Sequence, residues 1–116
     1  MAIQNIKQIT MVTGQSQSEE IQLNEYMMCG IISGSALTAT TLSFLVSVDG
    51  DTYYPLYNDS GEVSLTGMGG GVAKAVSLGA VDFFPWNFAK IRGGTAASAT
   101  NQATSDCPIT IISRTM

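Results

Sequence analysis

Short runs of alternating apolar and polar residues, separated by turn-forming residues, extend along most of the chain. The clearest run lies at residues 41–49. Its apolar positions are Leu42, Phe44, Val46 and Val48, and its polar positions include Ser43, Ser47 and Asp49. Because a period of two is typical of a half-buried strand, the apolar set is predicted in the core and the polar set on the opposite side.

Similar runs predict further strands, which brings the predicted number to eight. The predicted strands are residues 6–13, 21–33, 41–49, 52–57, 62–65, 72–78, 87–92 and 108–114. Many short strands bounded by glycine-rich turns are typical of an antiparallel sandwich or barrel. We therefore predict an all-β antiparallel β-sandwich, similar to a jelly roll.

Turn residues flank a short aromatic strand near the middle of the chain. Asp49-Gly50-Asp51 supplies the positive φ that a tight hairpin turn needs, and Asn58-Asp59-Ser60-Gly61 predicts a second turn. Pro55 lies between them and has no N–H to donate, so its strand is predicted at a sheet edge. The small, polar residues 93–106 predict a long surface loop.

Two segments have a helical alternative. Residues 16–28 begin with Ser16 and Glu19, which match a capping box, but the following residues alternate as a strand would. Residues 26–48 are uncharged and long enough to span a bilayer. Their many Ser and Thr residues and their alternation favour strands, so no membrane partner is predicted. Residues 1–7 lack a basic start followed by an apolar stretch, so no signal peptide is expected.

Composition restricts the possible functions. The chain has 116 residues, of which 45% are hydrophobic and 12% charged, and we expect a single domain over residues 1–116. It contains no His, which excludes Ser-His-Asp and Cys-His nucleophiles and removes the commonest zinc ligand. We predict that the protein is not an enzyme, with no catalytic residues.

The charge pattern does not favour nucleic acid as a partner. Five basic residues against nine acidic ones give a net charge of -4. Lys74, Lys90, Arg92 and Arg114 are scattered along the sequence, whereas duplex binding needs a basic stripe to neutralise phosphates. No nucleic-acid binding is therefore predicted.

Cysteine and aspartate residues give weak signals for metal or redox chemistry. Cys29 and Cys107 are too far apart for a CxxC site; two free thiols are favoured, with a single disulfide as the alternative. Asp49, Asp51 and Asp59 could share a calcium ion, but they do not match the ligand spacing of an EF-hand loop. We predict no metal and no cofactor.

A glycine-rich segment and one tryptophan are the candidates for partner binding. Gly67, Met68, Gly69, Gly70 and Gly71 match neither a dinucleotide fingerprint nor a P-loop. They predict a flexible hairpin tip that could become ordered against a partner. Trp86 follows a proline and is the aromatic residue most expected at a surface. The predicted partner-binding residues are Gly67, Met68, Gly69, Gly70 and Trp86.

Aromatic residues concentrate in two clusters, and most of them should be buried in a sandwich of this size. The first cluster contains Tyr53, Tyr54 and Tyr57, and the second spans residues 83–88. If Tyr53, Tyr54 and Trp86 were exposed together, they could stack against a sugar. A carbohydrate-binding or receptor-binding module of a phage tail or fibre is therefore the alternative function.

Four strings resemble a pattern found in small proteins of tailed bacteriophages. They are LTATTLSFLVSVDGDTYYPLY at residues 37–57, FAKIRGGTAA at 88–97, NQA at 101–103 and ITII at 109–112. Together they span residues 37–112, about two-thirds of the chain. The group that they resemble includes capsid cement, or decoration, proteins with jelly-roll or related β-sandwich folds.

The resemblance implies a structural protein on the outer surface of the capsid, bound to the major capsid protein and bridging its neighbouring copies. Many such contacts stabilise a head without any strong single site. An edge-prone strand at residues 52–57, an apolar cluster at 83–88 and the low charge predict a homo-oligomer. The resemblance suggests a homotrimer, with the glycine segment and the N-terminal segment reaching the coat subunits.

Overall fold

The computed structural model describes residues 4–103 and 105–115, which form an almost entirely antiparallel β structure. The strands are β1 (Gln4–Met11), β2 (Ile21–Gln22), β3 (Met27–Ser33), β4 (Leu42–Ser47), β5 (Tyr54–Pro55), β6 (Tyr57–Asn58), β7 (Gly61–Glu62), β8 (Ser64–Leu65), β9 (Lys74–Ser77), β10 (Phe88–Gly93) and β11 (Cys107–Arg114). One 3-10 helix, η1 (Ala80–Phe83), precedes β10. The predicted all-β sandwich is confirmed, although several predicted strands are divided into shorter ones.

Two sheets form the sandwich. The four-stranded sheet has the order β1-β11-β3-β9, and the five-stranded sheet has the order β2-β10-β4-β5, with β8 also paired to β4. β6 and β7 form a separate hairpin. The longest pairing joins β1 to β11, from Gln4 opposite Arg114 to Met11 opposite Cys107. Both predicted turns are present, and β5, which contains Pro55, lies at a sheet edge as predicted.

The core consists mainly of aliphatic and aromatic side chains between the two sheets. Its largest fully buried members are Phe44, Phe83, Ile9, Met11, Ile21, Leu23, Met28, Ile31, Leu42, Ile91, Ile109 and Ile111. The rings of Phe44 and Phe83 meet edge to face, with centroids 5.2 Å apart, a geometry that aromatic pairs prefer. Phe83 belongs to η1, so this short helix is anchored to the sandwich by a core side chain.

Strand β4 is buried on both faces, which the alternation alone does not predict. Leu42, Phe44 and Val46 lie in the core as predicted. The inward prediction for Val48 is wrong, because β4 ends at Ser47 and the Val48 side chain is 59% exposed. Ser43 is completely buried, because Arg92 and the groups around it cover the other face of the strand.

Two predicted elements have a different topology. Residues 21–33 were expected as one strand, but they form β2 and β3, which belong to different sheets. Asn24 lies between them with φ of 53°, a left-handed conformation that asparagine tolerates better than most residues. The predicted hairpin tip at residues 67–71 is also wrong. It joins β8, which pairs with β4, to β9, which pairs with β3, so the segment crosses from one sheet to the other.

The strand interpretation of residues 26–48 agrees with β3 and β4. Within residues 4–103 and 105–115, no helix is long and apolar enough to cross a membrane. Residues 1–3 of the N-terminal segment and residue 104 of the predicted loop lie outside the described residues.

Candidate functional site

The glycine segment is partly anchored and partly open. Met68 is only 3% exposed and belongs to the core cluster, and its backbone N–H donates to the Thr40 carbonyl at 2.9 Å. Gly69 has a positive φ, and a Cβ there would lie 2.7 Å from the Ala39 carbonyl oxygen, so only glycine fits. Gly67 and Gly70 are exposed. Met68 therefore acts as an anchor, and the accessible part of the segment is its glycine backbone.

Trp86 lies far from the glycine segment. Its side chain is half-buried and packs against the core. The next residue, Asn87, donates its N–H to the carbonyl of Ser47 at the end of β4, whereas Met68 is bonded beside the beginning of β4. The structure thus places the two predicted partner-binding features at opposite ends of one strand, and they do not form a single surface.

The turn after β4 is held by its own aspartate. One Asp49 carboxylate oxygen, Oδ1, accepts hydrogen bonds from the Asp51 and Thr52 N–H groups and from the Ser47 hydroxyl. The two backbone bonds and the hydroxyl bond lower the pKa of Asp49, because each favours the charged carboxylate. These contacts identify Asp49 as a turn-forming residue.

The Tyr53 side chain contacts two charged side chains beside it. Its hydroxyl donates to the Glu20 carboxylate at 2.7 Å, and the Lys90 ammonium lies 4.5 Å from the centre of its ring. Burial, followed by the Glu20 contact and by nearby negative charges, raises the pKa of the Tyr53 hydroxyl. Of the three residues of the predicted sugar platform, Tyr54 is the exposed one, at 61%. Tyr57 and Phe84 belong to the two aromatic clusters but not to the predicted platform, and both are also exposed.

A buried ion pair organises the outer face of the five-stranded sheet. Arg92 on β10 donates from Nη2 to Glu62 on β7 at 2.7 Å and from Nε to the Ser43 hydroxyl at 2.9 Å. The same Glu62 oxygen, Oε2, accepts the Ala96 N–H at 2.9 Å. The scattered charges along the chain do not predict this pairing, because Arg92 and Glu62 are 30 residues apart.

Gln102 connects two loops at the end where β4 begins. Its amide nitrogen donates to the carbonyls of Ala36 and Ser105, and its amide oxygen accepts the Thr38 N–H at 3.0 Å. The side chain is buried. The buried Gln102 amide therefore fixes the segment that follows β10. The polar composition of that segment does not predict this contact.

The two cysteines are free and lie at opposite ends of the same strand pair. Cys107 begins β11 and is buried in the core, and burial raises the pKa of its thiol. Cys29 lies on β3, where its thiol contacts the Ile112 carbonyl near the other end of β11. About five residues of strand separate the two, or roughly 16 Å, which is too far for a disulfide. The two-thiol interpretation is therefore correct for this fold.

No cluster for metal chemistry is found in residues 4–103 and 105–115: no three His, Cys, Asp or Glu side chains come close enough to hold an ion. The polar side chains described above are instead engaged in turns, loops and the ion pair. The exposed surface includes the backbone at Gly67 and Gly70 and the rings of Tyr54 and Tyr57.

No protein-family model and no curated protein matches the sequence. Solved structures do share its fold. The crystal structure of the SPBc2 prophage-derived protein YomS matches with a TM-score of 0.56 at 12% identity, covering 97% of this chain and 96% of that one. A protein of Bacillus endospore appendages, described as a novel family of disulfide-linked pili, matches with a TM-score of 0.51 at 7% identity, covering 99% and 88%. At these identities the likeness shows a common two-sheet fold.

Proposed function

We propose that the chain is a structural protein of a phage particle, and specifically a capsid cement protein that bridges neighbouring major capsid proteins on the outer surface of the head. The observation that carries the proposal is the fold shared, over nearly the full length of both chains, with a prophage-derived protein. The resemblance of residues 37–112 to small proteins of tailed phages supports the same origin.

Several loops of the protein are held in place by polar contacts, which is compatible with a role in binding. The buried polar side chains of Arg92, Glu62 and Gln102 fix loops in place, and fixed loops lose little entropy when they contact a partner. A homotrimer over a capsid junction would present each contact three times, which raises the overall affinity without a strong single site.

Cryo-electron microscopy of particles from the phage that encodes the chain tests the proposal. Cement function requires density for this fold on the outside of the shell, at the junctions between coat subunits. Heads that lack the chain should bind the purified protein and then resist heating or loss of salt better than untreated heads. Density confined to the tail, or absence of the chain from purified particles, would reject the cement assignment.

A carbohydrate-binding module of a tail or fibre is the alternative, and the exposed rings of Tyr54 and Tyr57 favour it. A glycan array probed with the isolated protein distinguishes the two functions. Binding that is lost in Tyr54→Ala but kept in Trp86→Ala would support this alternative through the exposed ring. Tyr53→Ala is a less suitable variant, because the Tyr53 ring also contacts Lys90 and its hydroxyl donates to Glu20.

A further inference from the structure

The edges of the two sheets differ in length. In the five-stranded sheet, one edge is β2 and the other consists of β5 and β8, and each of these strands has two residues. In the four-stranded sheet, β9 has four residues, whereas β1 has eight. β1 contains neither Gly nor Pro, and it pairs with β11 at eight successive positions without a shift in register. A long, regular edge of this kind presents backbone groups with which another strand can pair.

The first five residues of β1 form the open part of this edge. Residues 4–8 are all exposed, whereas Ile9 and Met11 are buried. In the part of the chain that the structure describes, the backbone hydrogen bonds of residues 4–8 are those of the ladder with β11. Because the pairing groups of a strand alternate between its two sides, five residues leave about four to six main-chain hydrogen bonds for a further strand.

Two side chains of this open stretch would meet an added strand. Lys7 lies opposite Ile111, which is buried in the core, so the Lys7 side chain belongs to the inner side of the sheet. Among residues 4–103 and 105–115, the ion pair found is that of Arg92 with Glu62, so the Lys7 ammonium has no carboxylate partner there. Ile6 lies on the outer side and is 63% exposed. The edge therefore offers a positive charge on one side and an apolar side chain on the other.

We propose that the edge of β1 binds an extended strand of another protein, with a carboxylate opposite Lys7 and an apolar residue opposite Ile6. Strand addition takes its affinity from main-chain hydrogen bonds and its specificity from alternate side chains, so it does not require a large interface. Opposite charges that face each other across a strand pair stabilise it, and like charges destabilise it.

The same lysine disfavours a second copy of the chain as the occupant. If two β1 edges pair with Lys7 opposite Lys7, two positive charges face each other, which is destabilising. An inward-pointing charge on an edge strand is a common protection against pairing between identical edges. Lys7 therefore selects against its own copy and in favour of an acidic strand.

This inference does not depend on the capsid assignment, because the edge and its charge are properties of the free chain. In a cement protein the added strand would belong to the coat subunit, and that identification alone rests on the proposed function. A peptide experiment tests the edge, whereas microscopy of phage particles tests the capsid role, so the two proposals can fail separately.

A short peptide is the probe for the edge. The capped peptide Thr-Thr-Val-Glu-Val-Thr-Thr is symmetric about its glutamate, so it presents the same side chains in a parallel or an antiparallel pairing. Titrated into the ¹⁵N-labelled protein, it should shift the amide signals of residues 4–8 most, with a Kd of roughly 50 µM to 1 mM. The same peptide with lysine in place of glutamate should bind about threefold to tenfold more weakly. The absence of shifts at about 5 mM peptide, or shifts concentrated on β9, would overturn the proposal.

Matched charge reversals locate the contact. Lys7→Glu should reverse the preference, so that the lysine peptide binds about threefold to tenfold more tightly than the glutamate peptide. Lys74→Glu makes the same change in net charge on β9, at the opposite edge of the same sheet, and it should keep the wild-type preference within about twofold. A reversal in both variants, or in Lys74→Glu alone, would reject β1 as the site. Circular dichroism confirms that each variant is folded.

Methylation of the peptide backbone tests whether the contact is a strand pairing. Successive N–H groups of a strand point to opposite sides, so two peptides are made, methylated at the odd or at the even backbone nitrogens. One should lose at least about tenfold in affinity, and the other should stay within about threefold. Equal affinities of the two would reject strand addition. In sedimentation equilibrium, a dimer of the free protein that the glutamate peptide dissociates would identify a second copy as the occupant and overturn the acidic partner.

Discussion

The Arg92 guanidinium lies 2.7 Å from the Glu62 carboxylate, at a position where Arg92 is only 6% exposed. Because Arg92 also donates to Ser43 and Glu62 also accepts from Ala96, this pair joins two strands of one sheet to a separate hairpin and to the loop after β10. A buried charge of this kind is tolerated only when it is paired and hydrogen-bonded.

Removing the carboxylate should therefore destabilise the fold. Glu62→Ala leaves the Arg92 guanidinium without its counter-charge, and breaking a buried pair in this way costs about 3 to 5 kcal/mol. The Glu62 side chain is 16% exposed, so water can partly replace it, and we expect a loss of about 2 to 3 kcal/mol. Urea unfolding measures the change, and Glu25→Ala, at an exposed position, is the control. Equal midpoints for the two variants would show that the pair contributes nothing.

A second prediction concerns the buried amide of Gln102. Gln102→Ala removes three hydrogen bonds to backbone groups of Ala36, Thr38 and Ser105, and it leaves those groups in a partly buried region. Each unsatisfied group costs about 1 to 3 kcal/mol. Because water can reach some of them, we expect a total loss of about 2 to 4 kcal/mol.

The neighbouring Asn101→Ala is the matched control for Gln102→Ala, because Asn101 is exposed. It should change the free energy of unfolding by less than about 0.5 kcal/mol. Hydrogen exchange would localise the effect: protection of the Thr38 N–H should fall in Gln102→Ala and persist in Asn101→Ala. Unchanged protection in both would contradict the role assigned to the amide.

A third prediction compares neighbours on β4. Phe44→Ala removes a fully buried ring that contacts Phe83, and such truncations cost about 3 to 5 kcal/mol. The alternation alone would make Ser43→Ala nearly neutral. Since Ser43 accepts a bond from the buried Arg92, we expect a loss of about 1 to 2 kcal/mol.

The control for these β4 variants is Val48→Ala. Val48 was predicted inward but is exposed, so its truncation should cost less than about 0.5 kcal/mol. Thermal or urea unfolding should show that the loss of stability decreases in the order Phe44→Ala, Ser43→Ala, Val48→Ala. A cost at Val48 as large as that at Phe44 would place Val48 in the core and contradict the end of β4 at Ser47.

The fold class was predictable because it depends on local periodicity. Alternation identified the inward residues of β4, and proline placed β5 at an edge. Local periodicity does not indicate which sheet a strand joins. Residues 21–33 were predicted as one strand because Ile21 and Leu23 alternate as a strand would, yet the chain changes sheet within this segment near Asn24.

The candidate sites were less predictable, because they depend on contacts between distant residues. Met68 looked like part of an accessible tip, but its apolar side chain fills the core. The partners of Arg92 and Gln102 lie 30 or more residues away for the most part. Nothing in the sequence indicates those distances.

The last prediction is the response of stability to acid. Asp49 has a pKa below its ordinary value of 3.8, mainly because it accepts the N–H groups of Asp51 and Thr52. The pKa of Asp106 is lowered in the same way by the N–H and hydroxyl of Thr13. A group with a lowered pKa in the folded state binds protons more weakly there than in the unfolded chain. Its contribution to stability is therefore present above pH 3.8 and is lost as the pH falls through the lowered pKa.

Asp49→Asn tests this linkage, because an uncharged amide resembles the protonated acid and makes weaker bonds to the turn. At about pH 7 the variant should have a lower Tm than the wild type, and the difference should shrink as the pH falls below the ordinary value of 3.8. Thermal unfolding followed by circular dichroism from pH 7 to pH 2 provides both curves. In the double variant that also carries Asp106→Asn, Tm should fall still less as the pH is lowered, because the second carboxyl with a lowered pKa is removed. A difference in Tm that stays constant over the whole range would mean that the charge of Asp49 does not contribute to holding the turn.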